Sequence, residues 1–93
     1  MKDNKLIAEF MGNPTIFNTI HDATLYQVKE QGNMTYHVDE LQYHSSWDWL
    51  MPVLLKCRQE NQLEYFDRVY YALEECDINI TYKAVVEFIN QNN

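Results

Sequence analysis

Glycine is nearly missing from this 93-residue chain, which has only Gly12 and Gly32. A phosphate-cradling loop or a dinucleotide-binding turn needs several closely spaced glycines so that the backbone can approach the anion, and two distant ones exclude both. Cations are scarce as well. Seven Lys and Arg against fourteen Asp and Glu give a formal charge of −7, which repels a phosphate backbone and argues against direct nucleic-acid binding. Long hydrophobic runs are missing too. The longest, Trp49 to Leu55, is interrupted by Pro52, whereas a membrane-spanning helix needs about twenty apolar residues. Met1 to Lys5 is charged and the apolar stretch after it is broken by Glu9, Gly12 and Pro14, so no secretory leader is expected. The two cysteines, Cys57 and Cys76, belong to no CxxC pair. Each falls at an inward or half-inward helical position, which predicts buried reduced thiols and a cytoplasmic setting. No cofactor motif is in view.

Apolar bulk is plentiful. Hydrophobic residues make up 46% of the chain and aromatics 14%, enough for one globular domain over residues 1–93 and far from the composition of disorder. So small a chain has limited surface to bury, which makes its large aromatic side chains, or a second copy in a homodimer, the natural supplement.

The periodicities predict an α+β fold, mainly helical, with about four helices packed on a small antiparallel β-hairpin. Asp3 is placed to cap a first helix carrying Leu6, Ile7, Phe10 and Met11, which Gly12 and Pro14 stop. Residues 15–23 show no clean period and read as loop, with at most a helical turn. From Thr24 the period becomes two. Tyr26 and Val28 alternate with Gln27 and Lys29, and after Gln31-Gly32-Asn33 the alternation returns at Met34, Tyr36 and Val38, which reads as a hairpin with one face on the helices.

A second helix is entered through Ser45 and Asp48 at capping-box spacing, with Trp47, Leu50, Met51, Leu54 and Cys57 on one face. Pro52 lies too deep in it for a first-turn proline and predicts a bend. Asn61 and Glu64 form another capping pair before Leu63, Phe66, Val69, Tyr70, Leu73 and Cys76. Asp77 or Asn79 starts a last helix carrying Tyr82, Val85, Val86 and Ile89.

Three histidines, His21, His37 and His44, stand near Asp22, Asp39 and Glu40, the residue types of metal and acid–base sites. No HxxxH or HExxH spacing puts two imidazoles on one helical face, so exposed or structural roles are the reading. A small metal-dependent enzyme using His37, His44 and Asp39 is an alternative. Ser45 and Ser46 beside His44 have no nucleophile elbow and fit helix capping. Trp47 and Trp49 lie about 200° apart on a helix and cannot face the same core. Whichever is left at the surface is a candidate anchor, along with some of Tyr65, Tyr70, Tyr71 and Tyr82, unless both tryptophans are sandwiched between hairpin and helices. The partner-binding candidates are Trp49, Tyr65 and Tyr71 as anchors, with Asp39, Glu40, Glu64, Asp67, Glu74, Glu75 and Asp77 as an acidic rim that steers a basic surface into register. An ordinary solvated face is the plainer reading of the same residues.

Three strings carry a resemblance. Leu6–Gly12 reads LIAEFMG, Tyr43–Val53 reads YHSSWDWLMPV and Tyr82–Asn90 reads YKAVVEFIN. Together they resemble a group of small uncharacterised proteins of phages, prophages and genomes of Bacteroidetes, in which AEFMG, SWDWLMPVVEKI and YKAVVEFI recur in that order. More loosely they are similar to phage alpha-beta-alpha sandwich proteins. The strings span about a third of the chain, and Leu55-Lys56-Cys57 departs from the group's EKI. The resemblance carries no functional residue. It implies a mobile-element protein in a bacterial cytosol, where small acidic proteins without a catalytic motif often block host defence. The expectation is therefore a non-enzymatic inhibitor of anti-CRISPR type. Its partner would be a host protein or ribonucleoprotein complex built around a nucleic-acid-guided nuclease. A sponge that sequesters a nucleotide immune signal between stacked aromatics is the second expectation, though cations for its phosphates are few.

Overall fold

The computed structural model describes residues 2–19, 23–60 and 63–91, without the side chains of Lys2, Asn18 and residues 63–65. His21, Asp22 and the capping pair expected at Asn61 and Glu64 lie outside these. In chain order the elements are α1 (Lys2–Phe10), β1 (Thr15–Asn18), β2 (Ala23–Val28), β3 (Met34–His37), α2 (Trp47–Gln59), α3 (Leu63–Glu74) and α4 (Ile78–Gln91), with 3-10 turns at Lys29–Gln31 and Val38–Glu40. The protein is α+β and mainly helical, as the periodicities indicate.

Helix α1 begins at Lys2, so Asp3 lies within its first turn instead of ahead of it. Its end follows the sequence. Gly12 adopts φ 71°, its N–H donates to Glu9 O and that of Asn13 to Ala8 O. This pairing closes the helix by satisfying carbonyls that would otherwise be left bare.

The sheet has three antiparallel strands in the order β1-β2-β3, one more than the hairpin expected. Residues 15–18, expected as loop, form β1, with Thr15 opposite Tyr26 and Asn18 opposite Ala23. Ile16 and Phe17 are consecutive and both exposed. An edge strand wet on both faces has no burial to impose alternation, and period two is therefore missing from its sequence. The hairpin proper pairs Leu25 with His37 and Val28 with Met34. Tyr26 and Val28 are buried as expected, but Met34 is 60% exposed at the strand's outer end. Lys29 and Val38 have left the ladder for the flanking 3-10 turns. Gly32 and Asn33 take the left-handed conformation that returns the chain into β3.

In α2 the capping residue is Ser46, not Ser45. Its side chain makes no capping bond, while its carbonyl accepts from the N–H groups of Trp49 and Leu50. Pro52 has no N–H to offer the carbonyl of Asp48 four residues earlier. The Gln31 side-chain amide takes its place, with Nε2 3.3 Å from Asp48 O. The stripe read from sequence is broader than one face. Leu50, Leu54 and Cys57 are buried, and Trp49 and Val53 join them from the next flank.

Helix α4 is central and packs on α1, α2 and α3 through buried Thr81, Tyr82, Val85, Phe88 and Ile89. Asp77 caps it, Oδ1 accepting from Asn79 N at 2.8 Å and Ile80 N at 3.3 Å. Thr81 Oγ1 donates to Ala72 O in α3. The thiol of Cys57 is buried as expected. Cys76 is exposed, because it ends α3 in the left-handed region, φ 55°, and its side chain swings out of the helical stripe.

One polar cluster sits inside this apolar frame. Asn4 on α1 is fully buried. Its Nδ2 donates to Leu41 O at 2.8 Å and reaches His44 Nδ1 at 2.8 Å, while its Oδ1 accepts from the Tyr82 hydroxyl at 2.8 Å. A single amide thus ties α1 to the segment before α2 and to α4. Sequence periodicity points at the apolar stripe Leu6, Ile7, Phe10 and Met11 and gives no sign of it.

Candidate docking surface

Helices α2 and α3 run antiparallel, and the apolar residues left over from core packing meet between them. Along α2, Trp47, Met51, Leu54, Leu55 and Arg58 recur at helical spacing. Along α3, Phe66, Tyr70, Leu73 and the following Cys76 face them. Two concavities result. One of ≈ 420 Å³ lies between the Arg58 end and Met51. The other, of ≈ 310 Å³, is bounded by Trp47, Met51, Leu73 and Cys76. They share Met51 and Leu73 and so form one groove, which by helical rise is about 16 Å long from Trp47 to Arg58. Met51 is 44% exposed, Leu55 57% and Tyr70 51%. Large apolar side chains scattered singly over a surface are ordinary, but a contiguous set in a concavity is how interaction sites present themselves.

Acids flank this groove. Asp67 and Glu74 are three residues before and four after Tyr70 and share its outer flank, and Asp48 is three residues before Met51. All three are exposed. Glu75 and Asp77 adjoin Cys76 at one end, and the cation lining the groove, Arg58, stands at the other. Lys56 is engaged elsewhere: its Nζ donates to Phe10 O and lies 4.9 Å from the Phe10 ring centroid.

The residues singled out from sequence distribute unevenly over this picture. Trp49 is a correction. It is 7% exposed, stacked edge-on between Tyr36 and Tyr43 with ring centroids 5.0 and 5.2 Å away, so it anchors the core and presents no surface to a partner. Each such aromatic pair adds about 0.5–1.5 kcal/mol beyond burial. Trp47, half-buried, is the tryptophan that reaches the groove. Tyr71 is 65% exposed and packs edge-on against Tyr70 at 6.1 Å, beside the groove and outside its lining. Glu64 and Tyr65 have side chains outside the described residues. Asp39 and Glu40 belong to the 3-10 turn after β3, and Glu40 Oε1 is occupied by His37 N at 2.8 Å. Asp77 serves as the α4 cap. Asp67, Glu74 and Glu75 remain at the groove's margin. Met51 and Leu73 were legible only as core, and Tyr70 both as core and as a possible surface anchor. The signal for a second role was an α2 too apolar for one buried face, with Leu55 outside the stripe.

Among the described residues, the histidines and Cys57 are engaged or set apart from one another. His44 Nδ1 is held by Asn4 and its ring lies edge-on to Tyr82 at 6.3 Å, while His37 is exposed on β3. Among the described residues no three His, Cys, Asp or Glu side chains are grouped to hold a metal ion. Burial pushes the Cys57 thiol up to about 12, with Glu60 adding to the effect, so it stays protonated and unreactive at neutral pH. Desolvation likewise raises Tyr43 and Tyr82 to about 12. No helix among the described residues is long and apolar enough to cross a membrane. Comparison with known proteins adds nothing to these assignments: no family model, curated protein or solved structure matches the chain.

Proposed function

We propose that this chain is a non-enzymatic binding protein that docks the α2–α3 groove onto a larger macromolecule, and that it serves a mobile element in a bacterial cytosol as an inhibitor of host defence. In its most concrete form the target is a nucleic-acid-guided effector nuclease, which makes the protein one of the anti-CRISPR type. The observation that carries a docking role is the groove itself, an open apolar trough with half-exposed Met51, Leu55 and Tyr70 at its lips and acids along its margin. Supporting the choice of target is the excess of acid, −7 over 93 residues. Such a surface repels DNA and RNA and is drawn to proteins built to hold them. The bacterial mobile-element setting rests on the LIAEFMG, SWDWLMPV and YKAVVEFIN strings.

The test is expression in a bacterium with active RNA-guided immunity. The wild-type protein restores plating of a targeted phage, and Leu55→Lys, which changes an exposed side chain, abolishes that protection at equal protein level. Unimpaired immunity in the presence of the wild-type protein, across the host's nucleic-acid-guided systems, would remove the proposal.

A further inference from the structure

The groove's shape and charge specify its occupant further, on the premise that the groove is the docking face. It is open along its length instead of closing round a small molecule, and its ≈ 16 Å run matches about three turns of helix. A trough between two antiparallel helices takes a third helix by seating side chains at i, i+3 or i+4, and i+7. Here Leu55, Met51 and Trp47 on one wall, with Tyr70 and Leu73 on the other, offer three successive apolar seats.

The charges then select among helices. Asp48 on the α2 side and Asp67 and Glu74 on the α3 side are exposed and flank whatever lies between them. A second copy docked groove to groove would set its own exposed Asp48, Asp67 and Glu74 against these, on a chain of net charge −7, so like charges oppose self-docking. A helix with Lys and Arg beside its apolar stripe meets opposite charge on both sides. The ends are polar as well: Arg58 marks one, and exposed Glu74 and Glu75 mark the other. Helix C-termini carry partial negative charge and N-termini partial positive charge. This orientation places the occupant's C-terminus at Arg58 and runs it parallel to α2.

We infer that the α2–α3 groove receives a single amphipathic helix of the partner, about three turns long, with apolar anchors on one face and basic residues flanking them. The probe is a synthetic 18-residue Leu/Lys peptide with leucines at helical spacing, titrated into the full chain and followed by isothermal calorimetry and by the fluorescence of Trp47, the tryptophan at the groove.

The expected result is binding at least about tenfold tighter than that of a peptide with Glu for every Lys, and than that of a scrambled Leu/Lys peptide without the stripe. Leu55→Lys and Tyr70→Ala should each weaken it about tenfold, while exposed Lys83→Ala on α4 leaves it unchanged. Binding should also weaken as salt rises from 50 to about 500 mM. Equal binding of the scrambled peptide, or no effect of Leu55→Lys and Tyr70→Ala, would overturn the inference. So would wild-type self-association that Leu55→Lys abolishes, since that assigns the groove to a second copy. Peptide binding without protection of phage would instead strike at the proposed function. Protection lost in Leu55→Lys without peptide binding would leave the function standing and remove this occupant.

Discussion

Replacing Asn4 by leucine, close in size and unable to hydrogen-bond, asks how much of the fold hangs on one buried amide. Three partners lose their bond: Leu41 O, the Tyr82 hydroxyl and His44 Nδ1. Leu41 is fully buried and Tyr82 nearly so. Each stranded group costs about 1–3 kcal/mol in desolvation. His44 is half-buried and can turn to water, so its loss adds little. The sum, about 2–6 kcal/mol, is large against the roughly 5–14 kcal/mol that 0.05–0.15 kcal/mol per residue allows a chain of this size. Urea unfolding followed by circular dichroism should show the midpoint falling at unchanged slope.

Tyr82→Phe, which strands only Asn4 Oδ1, should cost about 1–2 kcal/mol. Asn4→Leu introduced on that background should cost less than on the wild type, because the Tyr82–Asn4 bond is already gone. A cost below about 1 kcal/mol for Asn4→Leu, or strict additivity of the two substitutions, would refute the assignment of this cluster as a structural tie between α1 and α4.

Four further outcomes follow. Pro52→Ala restores the N–H that Asp48 O lacks and should stabilise by about 1–2 kcal/mol, a proline deep in a helix being unfavourable by about 3 kcal/mol. Gln31→Ala should then cost about 0.5 kcal/mol beside the native Pro52 and nothing on the Pro52→Ala background, where the backbone N–H is restored, as a double-mutant cycle in urea will show. Cys76→Gly should stabilise by about 1 kcal/mol, since a side chain at φ 55° carries strain that glycine lacks; an unchanged melting temperature would contradict it. Finally, Cys57, Tyr43 and Tyr82 are all raised to about 12, from 9.0 for the thiol and 10.0 for the phenols. The unfolded chain sheds these protons first, so the contribution of these groups to stability is complete below pH 9, is lost from there as Cys57 titrates, and is lost more steeply between pH 10 and 12. Cys57→Ala should flatten the stretch between pH 9 and 10.

Periodicity made the helices legible because each buries a stripe against α4, and a one-sided core imposes a 3.6-residue repeat on Leu50, Leu54, Val85 and Ile89. It failed where burial imposes nothing. Ile16 and Phe17 stand on an edge strand wet on both sides, and a strand without a buried face leaves no alternation to read. Trp49 was misplaced for a related reason. Two tryptophans 200° apart can be sorted only by knowing that the sheet lies over one flank, where Tyr36 and Tyr43 close on Trp49, and that α3 lies over the other. The acidic margin was half legible, since Asp67 and Glu74 are surface residues on any helical reading of α3. Asp77 and Glu40 look identical to them in sequence yet spend their carboxylates on backbone N–H groups. The groove was hidden because Met51, Tyr70 and Leu73 repeat just as core residues do, and only the spacing of two whole helices decides whether they meet or stay apart.

The most direct measurement is phage plating on a host with active RNA-guided immunity, comparing the wild-type protein with a Leu55→Lys, Tyr70→Lys variant. Both sites are more than half exposed, so the variant should stay folded, at a cost of about 1–2 kcal/mol that is mostly the lost edge-on Tyr70–Tyr71 contact. Protection by the wild type and its loss in the variant at an equal level of folded protein is the predicted result. Equal protection by the two would show that the α2–α3 groove is not the surface through which this protein acts.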